Sequence, residues 1–202
     1  MKKLISLALI SAMLLTFTAC DNKEKPSDNS QDGTPTGQQT ENSEPVSIKV
    51  EPVPEDGWTM EELAKTICID GKVISNPFKI ESLGSDYSWL INDINLPRVV
   101  YNGKTIATIS FVDESASEGE LESVMSSNLL EDTDHLTING IKLGSTREEA
   151  EAAFGKPIRE LALSESTCWS YYKDAEKQSG RFLEVWIDHE TDTVSLLIFH
   201  FV

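Results

Sequence analysis

Between Val46 and Val202 short apolar runs alternate with polar joints, and their periods predict strands and two short helices. Arg98–Tyr101 and Lys104–Val112 flank Asn102-Gly103, a pair suited to a two-residue hairpin. Leu121–Ser127 reads as a third strand, because Ser115–Gly119 before it reads as a turn. Ser166–Tyr172, Arg181–Asp188 and Thr193–Val202 are three more, crowded with β-branched and aromatic residues and joined by the polar stretches 173–180 and 189–192. Two capping boxes mark the helices. Thr59-Met60-Glu61-Glu62 opens a short one that ends near Thr66. Ser145-Thr146-Arg147-Glu148 opens the second, with Ser145 at the N-cap and Glu148 at N3. Ala150, Ala153 and Phe154 give that helix a narrow apolar stripe, Gly155 stops it and Pro157 prevents its continuation.

Two segments share an order of features. Ile67-Cys68-Ile69-Asp70-Gly71 leads to Phe78–Leu83 and Gly84, and Leu136-Thr137-Ile138-Asn139-Gly140 leads to the second helix and Gly155. Each is a strand, an Asx-Gly turn, a short helix and a closing glycine, which predicts an internal repeat. The acidic stretch Glu131–Asp134 connects the halves.

The N-terminal part reads differently. Lys2 and Lys3 precede an apolar run from Leu4 to Phe17, broken only by Ser6, Ser11 and Thr16. It is too short to span a bilayer comfortably and ends in small residues and a cysteine, the pattern of a secretion signal. Phe17-Thr18-Ala19-Cys20 resembles the lipobox of bacterial lipoproteins, with Phe where that family usually has Leu. The resemblance implies that Cys20 is lipidated and becomes the first mature residue. From Asp21 to Pro45 there is no aliphatic or aromatic residue. Such a stretch cannot bury enough apolar surface to offset its chain entropy, and it is expected to be a disordered tether reaching roughly 25–30 Å. The organisation expected is therefore a signal peptide over 1–20, a tether over 21–46, and two helix-plus-sheet units over 47–131 and 132–202.

Composition narrows the partners. The net charge is −17, and Lys2 and Lys3 are the only charged residues before Cys20; without them 15 basic residues face 34 acidic ones, a net charge of −19. That charge repels nucleic acid and anionic head groups and suits a solvated acidic surface or a cationic partner. Cys68 and Cys168 lie in strand-like runs, where two buried thiols and a disulfide are equally open readings. No CxxC, GxSxG, SxxK, HExxH or phosphate-cradling glycine loop occurs. Asp132, Asp134 and His135 look superficially like metal ligands, but their spacing matches no calcium loop, and a solvated connection explains them. Asp188, His189, Glu190 and Asp192 fit the polarity of a hairpin turn. No metal, cofactor or catalytic residue is expected.

Ile138–Thr146, Glu148-Glu149-Ala150 and Phe154-Gly155-Lys156-Pro157 resemble the G-x-x-x-G-x-(S/T), helix, G-x-P lead-in of the SmpA/OmlA outer-membrane lipoprotein family. They also look like the tandem-repeat β-lactamase-inhibitor-protein fold. The resemblance covers about 20 residues well and implies an α+β fold of two related units, each of short helices on an antiparallel meander. It also implies action by protein–protein contact rather than catalysis. Its motif residues carry fold and transfer no binding site. The acidic tether and long first half depart from the compact outer-membrane members, which leaves a role in outer-membrane assembly unsupported.

The aromatics suggest where contact occurs. Trp169 and Tyr171 share one face of their strand, Phe182 and Trp186 share a face opposite Leu183, Val185 and Ile187, and Phe199 and Phe201 share a third. A helix covers one face of a sheet, so a meander apolar on both faces must hide or use the second. Trp169, Tyr171, Phe182, Trp186, Phe199 and Phe201 are the candidate binding face; the competing reading is a core in which the two units cover one another. The expectation is a lipoprotein held by Cys20 on the extracytoplasmic side of the cell membrane, binding an envelope or secreted protein. A small-molecule or peptide binder with a pocket lined by Trp169, Tyr171 and Trp186 is the first alternative. A wall-directed hydrolase with two carboxylates of split pKa is the second.

Overall fold

The computed structural model describes residues 50–91, 96–113, 117–172 and 180–202. The signal segment, Cys20 and the tether over 21–46 lie outside the described residues, as do parts of the 115–119 turn and of the 173–180 joint.

The first described residues, from Val50, lead to helix α1 (Met60–Ala64), whose N-cap Thr59 and N3 Glu62 form the expected capping box. Strand β1 (Ile67–Ile69) then turns through Asp70 and Gly71, both at positive φ, into β2 (Lys72–Val73). A 3₁₀ turn over Ile80–Leu83 precedes β3 (Tyr87–Ile91), β4 (Pro97–Tyr101), β5 (Lys104–Phe111) and β6 (Leu121–Ser127). Asn102 and Gly103, at φ 51° and 77°, close the β4–β5 hairpin as their sequence predicts. Then come β7 (Leu136–Ile138), α2 (Arg147–Phe154), β8 (Arg159–Ala162), β9 (Ser166–Tyr171), β10 (Phe182–Asp188) and β11 (Val194–His200).

The protein is α+β, rich in strands and poor in helix, and its sheets are antiparallel. Eight strands form one sheet in the order β3-β4-β5-β6-β11-β10-β9-β8. Two four-strand meanders thus join along their last strands, β6 and β11, where Val124 faces Phe199. A small second sheet, β2-β1-β7, pairs Ile67 with Ile138 and Ile69 with Leu136, so the leading strands of the two similar sequence segments bond to each other.

One core cluster joins the elements on one side of the large sheet. Met60 and Leu63 of α1, the apolar residues of β1 and β7, and Ala150, Ala153 and Phe154 of α2 meet Val99, Ile109, Val124, Val185 and Phe199 from the sheet. The apolar residues at the opposite set of sheet positions stay outside that cluster.

Two local readings change. The cap of α2 is Thr146, not Ser145: its side chain accepts from the Glu149 N–H while the Glu149 carboxylate accepts from the Thr146 N–H. Ser145 is used earlier, its Oγ accepting from Lys142 N–H and its carbonyl from Val194 N–H, which holds it extended beside β11. Strands β3 and β8 carry no strand signal in the pattern, because they are the two edges of the sheet; every residue of β8 is exposed. Cys68 and Cys168 are free thiols.

Candidate interaction face

The open face follows from strand parity. Leu183, Val185 and Ile187 of β10 point into the core, so Phe182, Glu184 and Trp186 point away from it. Ladder registers extend that face across the sheet. Trp186 lies between Cys168 and Leu196, and Leu196 faces Ser127. Glu184 lies between Ser170 and Ile198, and Ile198 faces Met125. Beyond Met125 the same row continues through Thr108 and Arg98 to Leu90; at the other end it reaches Arg159. Met125, Phe182, Trp186, Leu196 and Ile198 are all half-buried.

The six aromatics singled out from sequence do not form one surface. Trp169, Tyr171, Phe199 and Phe201 are buried in the core, on the side the helices cover. Helix α2 decides this: Phe154 packs on Tyr171 with ring centroids 5.7 Å apart, the Tyr171 hydroxyl donates to the Gly155 carbonyl, and the Arg147 guanidinium lies over the Trp169 ring. Phe199 and Phe201 meet edge to face at 4.9 Å. Only Phe182 and Trp186 stay on the open face. Met125, Leu196 and Ile198, which complete its apolar strip, were missed because the register between β6 and β11 is a long-range fact.

Burial sets the electrostatics of the face. His200 stacks on Phe182 with centroids 4.0 Å apart, and desolvation lowers its pKa against the opposing pull of Glu184 and Glu122. Burial raises the Cys168 thiol pKa, with Glu184 adding to the shift. Both groups are thereby pushed toward their neutral forms.

A second feature lies on the covered side. A cleft of about 590 Å³ runs between residues 54–63 and the end of α2, with Trp58, Met60, Phe154, Tyr171 and Tyr172 in its walls and Glu55, Asp56, Glu62 and Lys156 around them. Trp169 and Trp186 do not line it, so the pocket expected from Trp169, Tyr171 and Trp186 together does not form.

Asp132, Asp134 and His135 do not converge. His135 uses Nδ1 on Asp70 at 2.7 Å and Nε2 toward Asp132 at 3.4 Å, on opposite sides of its ring, while Asp134 pairs with Lys142. The Tyr87 hydroxyl donates to the other Asp70 oxygen, and burial together with that carboxylate raises the phenol pKa. This network ties the β1–β2 turn to β3 and to the lead-in of β7; its members are far apart in sequence, and nothing local marks Tyr87. Asp188 accepts from the Glu190 and Thr191 N–H groups and the Thr191 hydroxyl, which lowers its pKa, and Asp192 pairs with Arg147. Among the described residues no helix is long and apolar enough to cross a membrane. Comparison with known proteins gives no match: no family model, no curated protein and no solved structure matches the chain.

Proposed function

We propose that the chain is a lipoprotein, anchored by lipid on Cys20 to the extracytoplasmic side of the cell membrane, that binds an envelope or secreted protein through the open face of its large sheet. The observation that carries this reading is the apolar strip of Phe182, Trp186, Leu196, Ile198 and Met125, left outside a core that all the helices share. In the same reading the halves are related units of the β-lactamase-inhibitor-protein kind, each a four-strand meander led by a strand and an Asx-Gly turn. The pairing of β1 with β7 supports that kinship. It is a binding module rather than an enzyme.

Two measurements test it. Labelled palmitate should enter the wild-type chain and not Cys20→Ala. A photo-crosslinking residue placed at Ile198 of the full-length chain in cells should capture one dominant protein, whereas the same residue at the exposed Glu148 of α2 should not. Equal capture from both positions, or none from Ile198, sinks the open-face reading. The 590 Å³ cleft supports a second reading, a small-molecule or peptide binder. It predicts a ligand that raises the thermal midpoint of the wild type but not of Tyr172→Ala.

A further inference from the structure

Two nitrogen donors on the open face have no partner. Trp186 Nε1 and Arg98 Nε are shielded from water and make no hydrogen bond in the described structure. Three other side-chain atoms share that condition, Ser126 Oγ, Thr137 Oγ1 and Trp169 Nε1, but their residues are buried on the covered side of the sheet or in the small sheet, beyond the reach of a second molecule. A shielded donor without an acceptor is unfavourable, and native proteins rarely keep one without a use. Among the described residues Arg98 also has no ion pair. Glu131 is near enough to feel its charge, yet the Glu131 carboxylate is taken by the Thr105 N–H and hydroxyl.

The placement of the two donors is informative. Arg98 is on β4 and Trp186 on β10, four strand spacings apart, or roughly 19 Å. That distance fits within one standard protein–protein contact, and Trp and Arg are the residue types that anchor such contacts. Charge points the same way. In a chain of net charge −17, the row from Arg159 to Leu90 carries two guanidiniums and one carboxylate, Glu184, so this row runs against the acidic balance of the chain.

We propose that the open face docks a protein surface that offers a carboxylate side-on to Arg98 and a second acceptor to the Trp186 indole. The inference rests on the interaction reading above and names the chemistry of the partner. Side-on pairing engages Nε and one Nη together, which gives two parallel charge-assisted bonds and a use for the orphaned Nε. The side chain has the rotamer freedom to turn that edge outward, and a lysine cannot reproduce the fork.

The test uses a display library of random dodecapeptides panned on the full-length chain in detergent micelles, with site assignment by competition against crosslinking from Ile198. Peptides landing on the open face should be enriched in Asp or Glu. They should bind Arg98→Lys at least ten-fold more weakly and Trp186→Phe about three-fold more weakly, with both variants unfolding at the wild-type temperature. Trp186→Phe keeps an aromatic ring but removes the indole N–H together with the five-membered ring, so it reads the hydrogen bond and part of the packing together, and Arg98→Lys carries the test of the carboxylate. Open-face peptides without acidic enrichment, or bound equally by both variants, overturn the inference and leave the interaction reading standing. No peptide at the open face and no crosslink from Ile198 overturn both.

Discussion

Asn139 holds the entering chain to the fold by its side chain alone. Its Oδ1 accepts from the Glu51 N–H, and its Nδ2 donates to the carbonyls of Glu51 and Ala153, all near 3 Å. The residue is buried and sits at φ 45°, a conformation that Asn tolerates better than most residues. Asn139→Ala removes three hydrogen bonds from a buried site and is expected to cost about 2–4 kcal/mol in urea unfolding. A loss below about 1 kcal/mol would mean that residues 50–58 are held by packing instead. His200 supplies a pH-dependent term. Its folded pKa is lowered by desolvation, so the unfolded chain binds the proton more readily. The stability it contributes is present above the unfolded value near 6.5 and is lost as pH falls through the lower folded value. Stability should therefore decline between about pH 7 and 5. His200→Gln should flatten that decline; an unchanged slope in the variant would assign it to other groups.

At the scale of elements, the helix cap and the hairpin turn give separable predictions. Thr146→Ala removes the side-chain acceptor of the Glu149 N–H and leaves the Thr146 N–H to its bond with the Glu149 carboxylate; it should cost about 1 kcal/mol, whereas Thr146→Ser should be nearly neutral. A larger penalty from Ser145→Ala than from Thr146→Ala in thermal unfolding would restore the earlier register. Gly103 has nothing within 4 Å of an added Cβ but a φ of 77°, so Gly103→Ala should cost about 1 kcal/mol from backbone strain alone. These contrasts show what the pattern could reveal. Strands β4, β5, β6, β9, β10 and β11 were legible because their apolar residues alternate between clear turns. Edge strands β3 and β8 were not, because an edge buries too little to impose a period. The buried face of β9 was hidden for another reason. Trp169 and Tyr171 on one side compete with Cys168 and Ser170 on the other, and α2, which is not part of the sheet and packs on it from outside the ladder of β8, β9 and β10, decides between them. Register has the same non-local origin, and so the strip of Met125, Leu196 and Ile198 emerges only once β6 is seen beside β11.

The whole molecule turns on that one seam. Among the described residues the large sheet is continuous through the pairing of β6 and β11, from Ser123–His200 to Ser127–Leu196, and no other ladder there joins its two meanders. On the covered side the seam is filled by Val124, Leu197 and Phe199, all fully buried. The small sheet makes a second link, through three residue pairs of β1 and β7. A chain joined in this way should unfold as one cooperative unit although its sequence reads as two. Phe199→Ala places a cavity in the seam and should cost about 3–5 kcal/mol. Native-state hydrogen exchange checks where that loss is felt. If the seam couples the halves, amides of β5 and β9 lose protection by the same free energy, although neither strand touches β11 in the ladder. Loss confined to β10, β11 and β6 would instead make the meanders separate folding units. The apolar strip would then be a junction between two units, not the face of one sheet, because Met125 stands on one side of the seam and Ile198 on the other.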